Sequence, residues 1–173
     1  MHLEVEGAFP GRVDQVLIDL LQRNKTAIKE RWLEETLASY RPDSAAFFQH
    51  QNDPFANPVG QALKDEAGAI VDGLFAAADP CDLCCHLEEI VKIRAIQEFT
   101  PAEAVSFVFL LKDAIRAELG DELTTPGARD ELTALEDRID QLVLFAFDIF
   151  VKWREKVYSL RLREIRAGYV QPD

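Results

Sequence analysis

EEIVKIRAIQEFTPAEAVSFVFLLKDAIRAEL, residues 88–119, decides the fold. Its first part continues a stripe of Leu83, Leu87, Ile90 and Ile93 at helical spacing, so a helix is expected from about Cys81 to Gln97, opened by Asp79-Pro80. Thr100-Pro101-Ala102-Glu103 is then a capping box with proline at the first helical position. The helix behind it reads AVSFVFLLKDAI and is apolar almost all round until Gly120 stops it. A helix without a polar face must be covered on both sides. Two helices meet at one sharp break, with no alternating strand pattern in sight.

The flanks repeat the theme. After Thr125-Pro126-Gly127 comes the longest periodic segment, about Ala128 to Ala167, where Leu135, Ile139, Leu142, Ala146, Ile149 and Trp153 step by four and three. That is the seam of a coiled-coil-like contact. Val143, Phe147, Phe150 and Val157 form a second stripe beside it. One stripe can face the chain's own core; the other is most simply covered by a second copy, since two-fold pairing is the commonest oligomer. The expected interface comprises Val105, Val108, Leu142, Ala146, Ile149 and Trp153. A helix of that length spans roughly 60 Å at ~1.5 Å per residue, so its end projects. Upstream, Leu17, Leu20, Leu21, Ile28, Leu33 and Leu37 mark a helix from about Val13 to Tyr40, ended by Arg41-Pro42. Residues 42–57 read as a loop with one short turn at Ala45–His50, and Asn57-Pro58 starts the next helix. Gly60, Gly68 and Gly73 inside it suggest close approach of another helix or a small ligand. The fold is therefore all-α, one domain over 1–173, with tails at 1–12 and 168–173.

Composition narrows the function. The 173 residues are 48% hydrophobic and 29% charged, with net charge -12 from 31 acidic and 19 basic side chains. That field repels phosphate backbones, which argues against nucleic acid as a partner. The charge is uneven: residues 152–173 carry six basic and three acidic groups, net +3, leaving -15 elsewhere. The basic end suits a helix C-terminus, or serves as a docking strip. No apolar run approaches the roughly 20 residues needed to cross a membrane. The acidic N-terminus lacks the features of a secretory signal. Three clustered cysteines are no disulfide framework, and a cytoplasmic location is expected.

Little points to chemistry. CDLCCH at 81–86 offers three thiols, Cys81, Cys84 and Cys85, and one imidazole. Structural zinc sites pair ligands from separate elements, and haem c attachment needs C-x-x-C-H; His86 is one residue too late for Cys81 and Cys84, and only the looser spacing Cys81-x-x-x-Cys85-His86 fits. Buried packing is the plainer role for these thiols, with redox sensing as the alternative. Neither His50 nor His86 has a glutamate three residues earlier, which excludes the di-iron carboxylate pattern. No nucleophile elbow or phosphate-binding loop occurs. No cofactor and no catalysis are expected. Arg94, a charge amid VKIRAIQ, is expected to pair with Glu98 at i+4, or else to face a ligand or partner.

The chain resembles the N-terminal domain of the RsbR family, the RsbT co-antagonists of bacterial stressosomes. The likeness runs through LLQRNKTAIKERWLEE (20–35), DPFANPVGQAL (53–63), the stretch quoted first (88–119) and LFAFDIFVKWREKVYSLRLREI (144–165). It implies a haem-free, globin-like helical fold, dimeric through its last helices, that acts as a sensory or protein-interaction module. Full-length members continue into a STAS domain carrying phosphorylated threonines, whereas this sequence ends at Asp173, so a stand-alone module is expected. The expected function is non-enzymatic regulation through protein partners. The alternatives are a globin-like sensor of a small apolar ligand or haem, and a thiol redox module.

Overall fold

A computed structural model describes residues 15–50, 53, 55–76, 78, 80–97, 99–120, 122–123 and 126–169. Among the described residues there are six helices: α1 (Gln15–Ala38), α2 (Pro42–His50), α3 (Pro58–Phe75), α4 (Pro80–Ile96), α5 (Pro101–Leu119) and α6 (Pro126–Tyr169). Among the described residues there is no strand. The helix beginning at Pro42 is longer than the single turn expected there. The expected N-terminal tail lies outside the described residues, and α6 continues two residues into the expected C-terminal one.

Each helix is held by a local cause that ties it to a neighbour. In α1, Leu17, Leu21, Ile28 and Trp32 are buried at helical spacing. Trp32 is the anchor: its indole Nε1 donates to the Phe107 carbonyl at 2.7 Å, and its ring stacks on Phe107 with centroids 6.1 Å apart. A buried indole needs such a partner, and here it fixes α1 to α5. Asn57 caps α3 by accepting from Gly60 N at 2.8 Å, while its Nδ2 donates to the Phe48 carbonyl at 3.1 Å. One side chain thereby closes α3 and joins it to α2.

The capping box at α5 is formed: Glu103 N donates to Thr100 Oγ1 at 3.3 Å, and Thr100 N donates to Glu103 Oε2 at 2.9 Å. Ala104, Phe107, Val108, Leu111, Ala114 and Ile115 are buried between α1 on one side and α6 on the other. That explains the helix with scarcely a polar face, although Phe109 stays 45% exposed. Toward the rim, Arg116 donates both Nε and Nη2 to the Glu136 carboxylate at 2.6 Å, and Lys112 pairs with Asp140 at 2.5 Å. These pairs set the register of α5 on α6; the exposed partner in each, Arg116 and Asp140, keeps the pair's energy modest.

The helical glycines differ in role. A Cβ on Gly73 would stand 2.5 Å from Leu83 Cδ2, so α3 and α4 approach closely there, as the sequence suggests. At Gly60 the Asn57 capping side chain, rather than another helix, fills the space. Gly68 meets only the flexible end of Lys29, 3.9 Å away. Gly68→Ala is therefore expected to raise stability by about 0.5–1 kcal/mol through helix propensity. Gly73→Ala is expected to lower it by about 1–3 kcal/mol through overpacking. Thermal or denaturant melts of the two variants check the opposite signs.

Candidate functional site

The long helix α6 has two apolar faces, and the chain's own core covers one of them. Leu135, Ile139, Leu142 and Ala146 are at most 1% exposed, and Ile149 and Trp153 pack against the same core. Val105 and Val108 of α5 are likewise buried. This corrects the sequence expectation: Val105, Val108, Leu142 and Ala146 have no surface left for a second chain, because the chain's own helices already cover them. Ile149 and Trp153 lie at the edge of the core. Trp153 Nε1 donates to Glu88 Oε1 at 2.9 Å, and Arg154 Nη1 donates to the Ala95 carbonyl at 3.3 Å, which pins α6 to α4.

The uncovered apolar face lies beside that seam. Leu144 is 67% exposed, Phe147 46%, Val151 39%, Tyr158 51%, Leu162 54% and Ile165 55%. At 3.6 residues per turn these six fall within an arc of about 60° along the helix. Beyond Val157 every residue through Gly168 is exposed, so the end of α6 runs out past the body. Its cations have local roles as well: Arg154 Nη2 donates to the Tyr158 hydroxyl at 2.8 Å, and Lys156 lies over the Trp153 ring at 4.3 Å. Of the second stripe seen in the sequence, Phe147 lies on this face, whereas Val143 and Phe150 are buried. The stripe was legible; which side of it met the core was not.

The cysteine segment opens α4. Cys84 is half-buried and Cys85 exposed, while the Cys81 side chain lies outside the described residues. His86 Nδ1 lies 2.6 Å from Glu66 Oε2, a polar clip between α4 and α3. Among the described residues, no group of three or more His, Cys, Asp or Glu side chains is placed to hold a metal ion. His2 and the side chain of His50 lie outside the described residues.

Arg94 turns inward and is fully buried. Its Nη1 donates to the Glu103 carbonyl at 3.1 Å, and its Nη2 donates to the Thr36 carbonyl at 3.2 Å and to Ser39 Oγ at 2.8 Å. The guanidinium sits 4.7–5.0 Å from the ring centres of Tyr40, Phe99 and Phe107. Glu98, the partner expected from the sequence, lies outside the described residues. Burial pushes the Arg94 guanidinium below its ordinary range and the Tyr40 phenol above its own, each partly offset by the other's nearness. The knot joins α1, α4 and α5. The charge in an apolar run was the only sequence signal for it; of its aromatic partners Phe99 is close in sequence, while Tyr40 and Phe107 come from other parts of the fold.

Taken together, the helices among the described residues, with a projecting α6 that carries an exposed apolar stripe, define an all-helical module. The family model of the RsbT co-antagonist protein rsbRD N-terminal domain matches residues 26–165, and the chain belongs to that family. No curated protein and no solved structure matches it. The globin-like description therefore rests on the family resemblance, while the all-α architecture stands on the structure itself. No helix among the described residues is long and apolar enough to cross a membrane.

Proposed function

We propose that this domain is a non-enzymatic regulatory module of the stressosome type, acting through protein–protein contacts as a homodimer joined along α6. The observation that carries it is the apolar face from Leu144 to Ile165. Six large side chains in one narrow stripe make a patch of the kind that marks interaction sites on soluble proteins. A second copy is the occupant the pattern favours. The stripe steps by 3, 4, 7, 4 and 3 residues, so it matches a copy of itself whichever way the two helices run. Family membership supports the regulatory role, and the absence of any nucleophile or phosphate-loop motif in the sequence fits it. A protein that works in the cytoplasm with other regulatory proteins is the corresponding setting.

Cross-linking tests the surface directly. With Cys81, Cys84 and Cys85 replaced by Ser, Val151→Cys and Tyr158→Cys are introduced together. In a parallel pair each thiol meets its own copy, and in an antiparallel pair residue 151 meets residue 158. Mild oxidation is expected to give covalent dimer in either case, because disulfides form only when Cα atoms come within about 7 Å. Leu160→Cys, equally exposed but on the opposite face, is the control and should stay monomeric on denaturing gels. Equal cross-linking at all positions, or none at 151 and 158, would sink the proposal.

A further inference from the structure

We propose that the two copies of α6 run parallel, because the charges beside the apolar stripe attract a copy running the same way and repel one running the opposite way. This direction rests on the homodimer proposed above and adds how the second copy sits on the same face. Leu144, Val151, Tyr158 and Ile165 are spaced seven residues apart, so they form one line along the helix. The residues three and four places after each of them fall roughly 50° to either side. On one side these are Phe147, Arg154 and Arg161; on the other they are Asp148, Glu155 and Leu162. The stripe thus has a basic edge and an acidic edge.

These charges are available to a second chain. Asp148, Glu155 and Arg161 are exposed, and none of the three forms an ion pair among the described residues. Arg154 spends Nη1 on the Ala95 carbonyl and Nη2 on the Tyr158 hydroxyl, both neutral acceptors. Its charge therefore meets no carboxylate among the described residues, and further N–H groups of the guanidinium remain to donate. The same contacts hold it at the edge of the stripe, 5.0 Å from the centre of the Tyr158 ring.

Two-fold symmetry turns the two edges into a choice of direction. When two such helices pack face to face and run parallel, the basic edge of each meets the acidic edge of the other. Glu155 of one copy then stands level with Arg154 of the other, offset by a single residue or about 1.5 Å along the axis, and the pair forms twice. When the helices run antiparallel, each edge meets its own kind whatever the register. With residue 151 opposite residue 158, Arg154 lies against Arg154 and Glu155 against Glu155 of the other copy. Like charges set against each other across an interface are penalised. Lys152, Lys156, Arg163 and Arg166 fall on the sides and back of α6, away from the stripe, so parallel pairing does not press them together.

Single-cysteine variants read the direction. With Cys81, Cys84 and Cys85 replaced by Ser, Val151→Cys and Tyr158→Cys are oxidised separately and compared with the double variant. A parallel pair in register brings each position to its own copy, so both single variants are expected to form covalent dimer. No antiparallel register does this, because two positions seven residues apart cannot both lie on one perpendicular two-fold axis. A double variant that cross-links while either single variant does not would overturn the parallel arrangement and leave the homodimer standing. No cross-linking in any of the three would overturn both. Glu155→Gln tests the charges, read by sedimentation over a dilution series at low salt. It should weaken a parallel dimer about three- to tenfold by removing two ion pairs, and the loss should shrink in high salt. In an antiparallel dimer the same change relieves a like-charge contact, so unchanged or tighter association would overturn the proposal.

Discussion

Val151→Glu and Tyr158→Glu, introduced together, are expected to yield a folded monomer, whereas Ala146→Glu is expected to prevent folding. All three positions lie on α6 and the substitution is the same, so only the surroundings differ. Ala146 is fully buried against the core. A carboxylate there is desolvated without a partner in every chain, dimer or not, and such burial is among the few single changes that cost more than about 4 kcal/mol. Val151 and Tyr158 are 39% and 51% exposed in the single chain. Glutamates there stay hydrated in the monomer and are penalised only when two α6 stripes close on each other. Circular dichroism should show the double variant as helical as the parent, with light scattering showing half its mass. A double variant that remains dimeric would place the interface elsewhere.

Trp32→Ala is expected to be the most damaging core truncation, lowering stability by about 3–5 kcal/mol. Trp32 is 1% exposed, stacks on Phe107 and donates to the Phe107 carbonyl. Its removal opens a cavity between α1 and α5 that the surrounding helices cannot close, because α5 is also held against α6 by the pairs of Arg116 with Glu136 and Lys112 with Asp140. For a chain of this length the melting temperature should fall by roughly 6–20 °C. Trp32→Phe, which loses the hydrogen bond but keeps a ring, should cost less than half as much. Equal losses in the two variants would show that the hydrogen bond, not the volume, is what anchors α1.

Much of the fold was legible in the sequence because its boundaries are written in local chemistry. The Thr100–Glu103 box and the Asn57-Pro58 start need only a few adjacent residues, and both are formed. The helix at Pro42–His50 was underestimated because what holds it is packing rather than local spacing: Phe48 lies edge-on to Tyr40, and the Asn57 amide donates to the Phe48 carbonyl. The same limit governs the interaction surface. Periodicity located two apolar stripes on α6 but could not say which one α1, α4 and α5 would cover. The step pattern of Leu135 to Trp153 looks like a dimer seam, yet it is satisfied within one chain. Arg94 shows the limit most plainly. An i+4 carboxylate is the nearest partner in sequence, but Tyr40 and Phe107 arrive from just beyond α1 and from α5, and no local rule brings them there.

The mass of the intact chain in solution tests the central claim most directly. One chain weighs 19.5 kDa. If a second copy covers Leu144–Ile165, sedimentation equilibrium at tens of micromolar should give twice that mass, with dissociation only on dilution. A stable mass of one chain across the same range would mean that the stripe on α6 is left open or kept for another protein, and the homodimer would be contradicted.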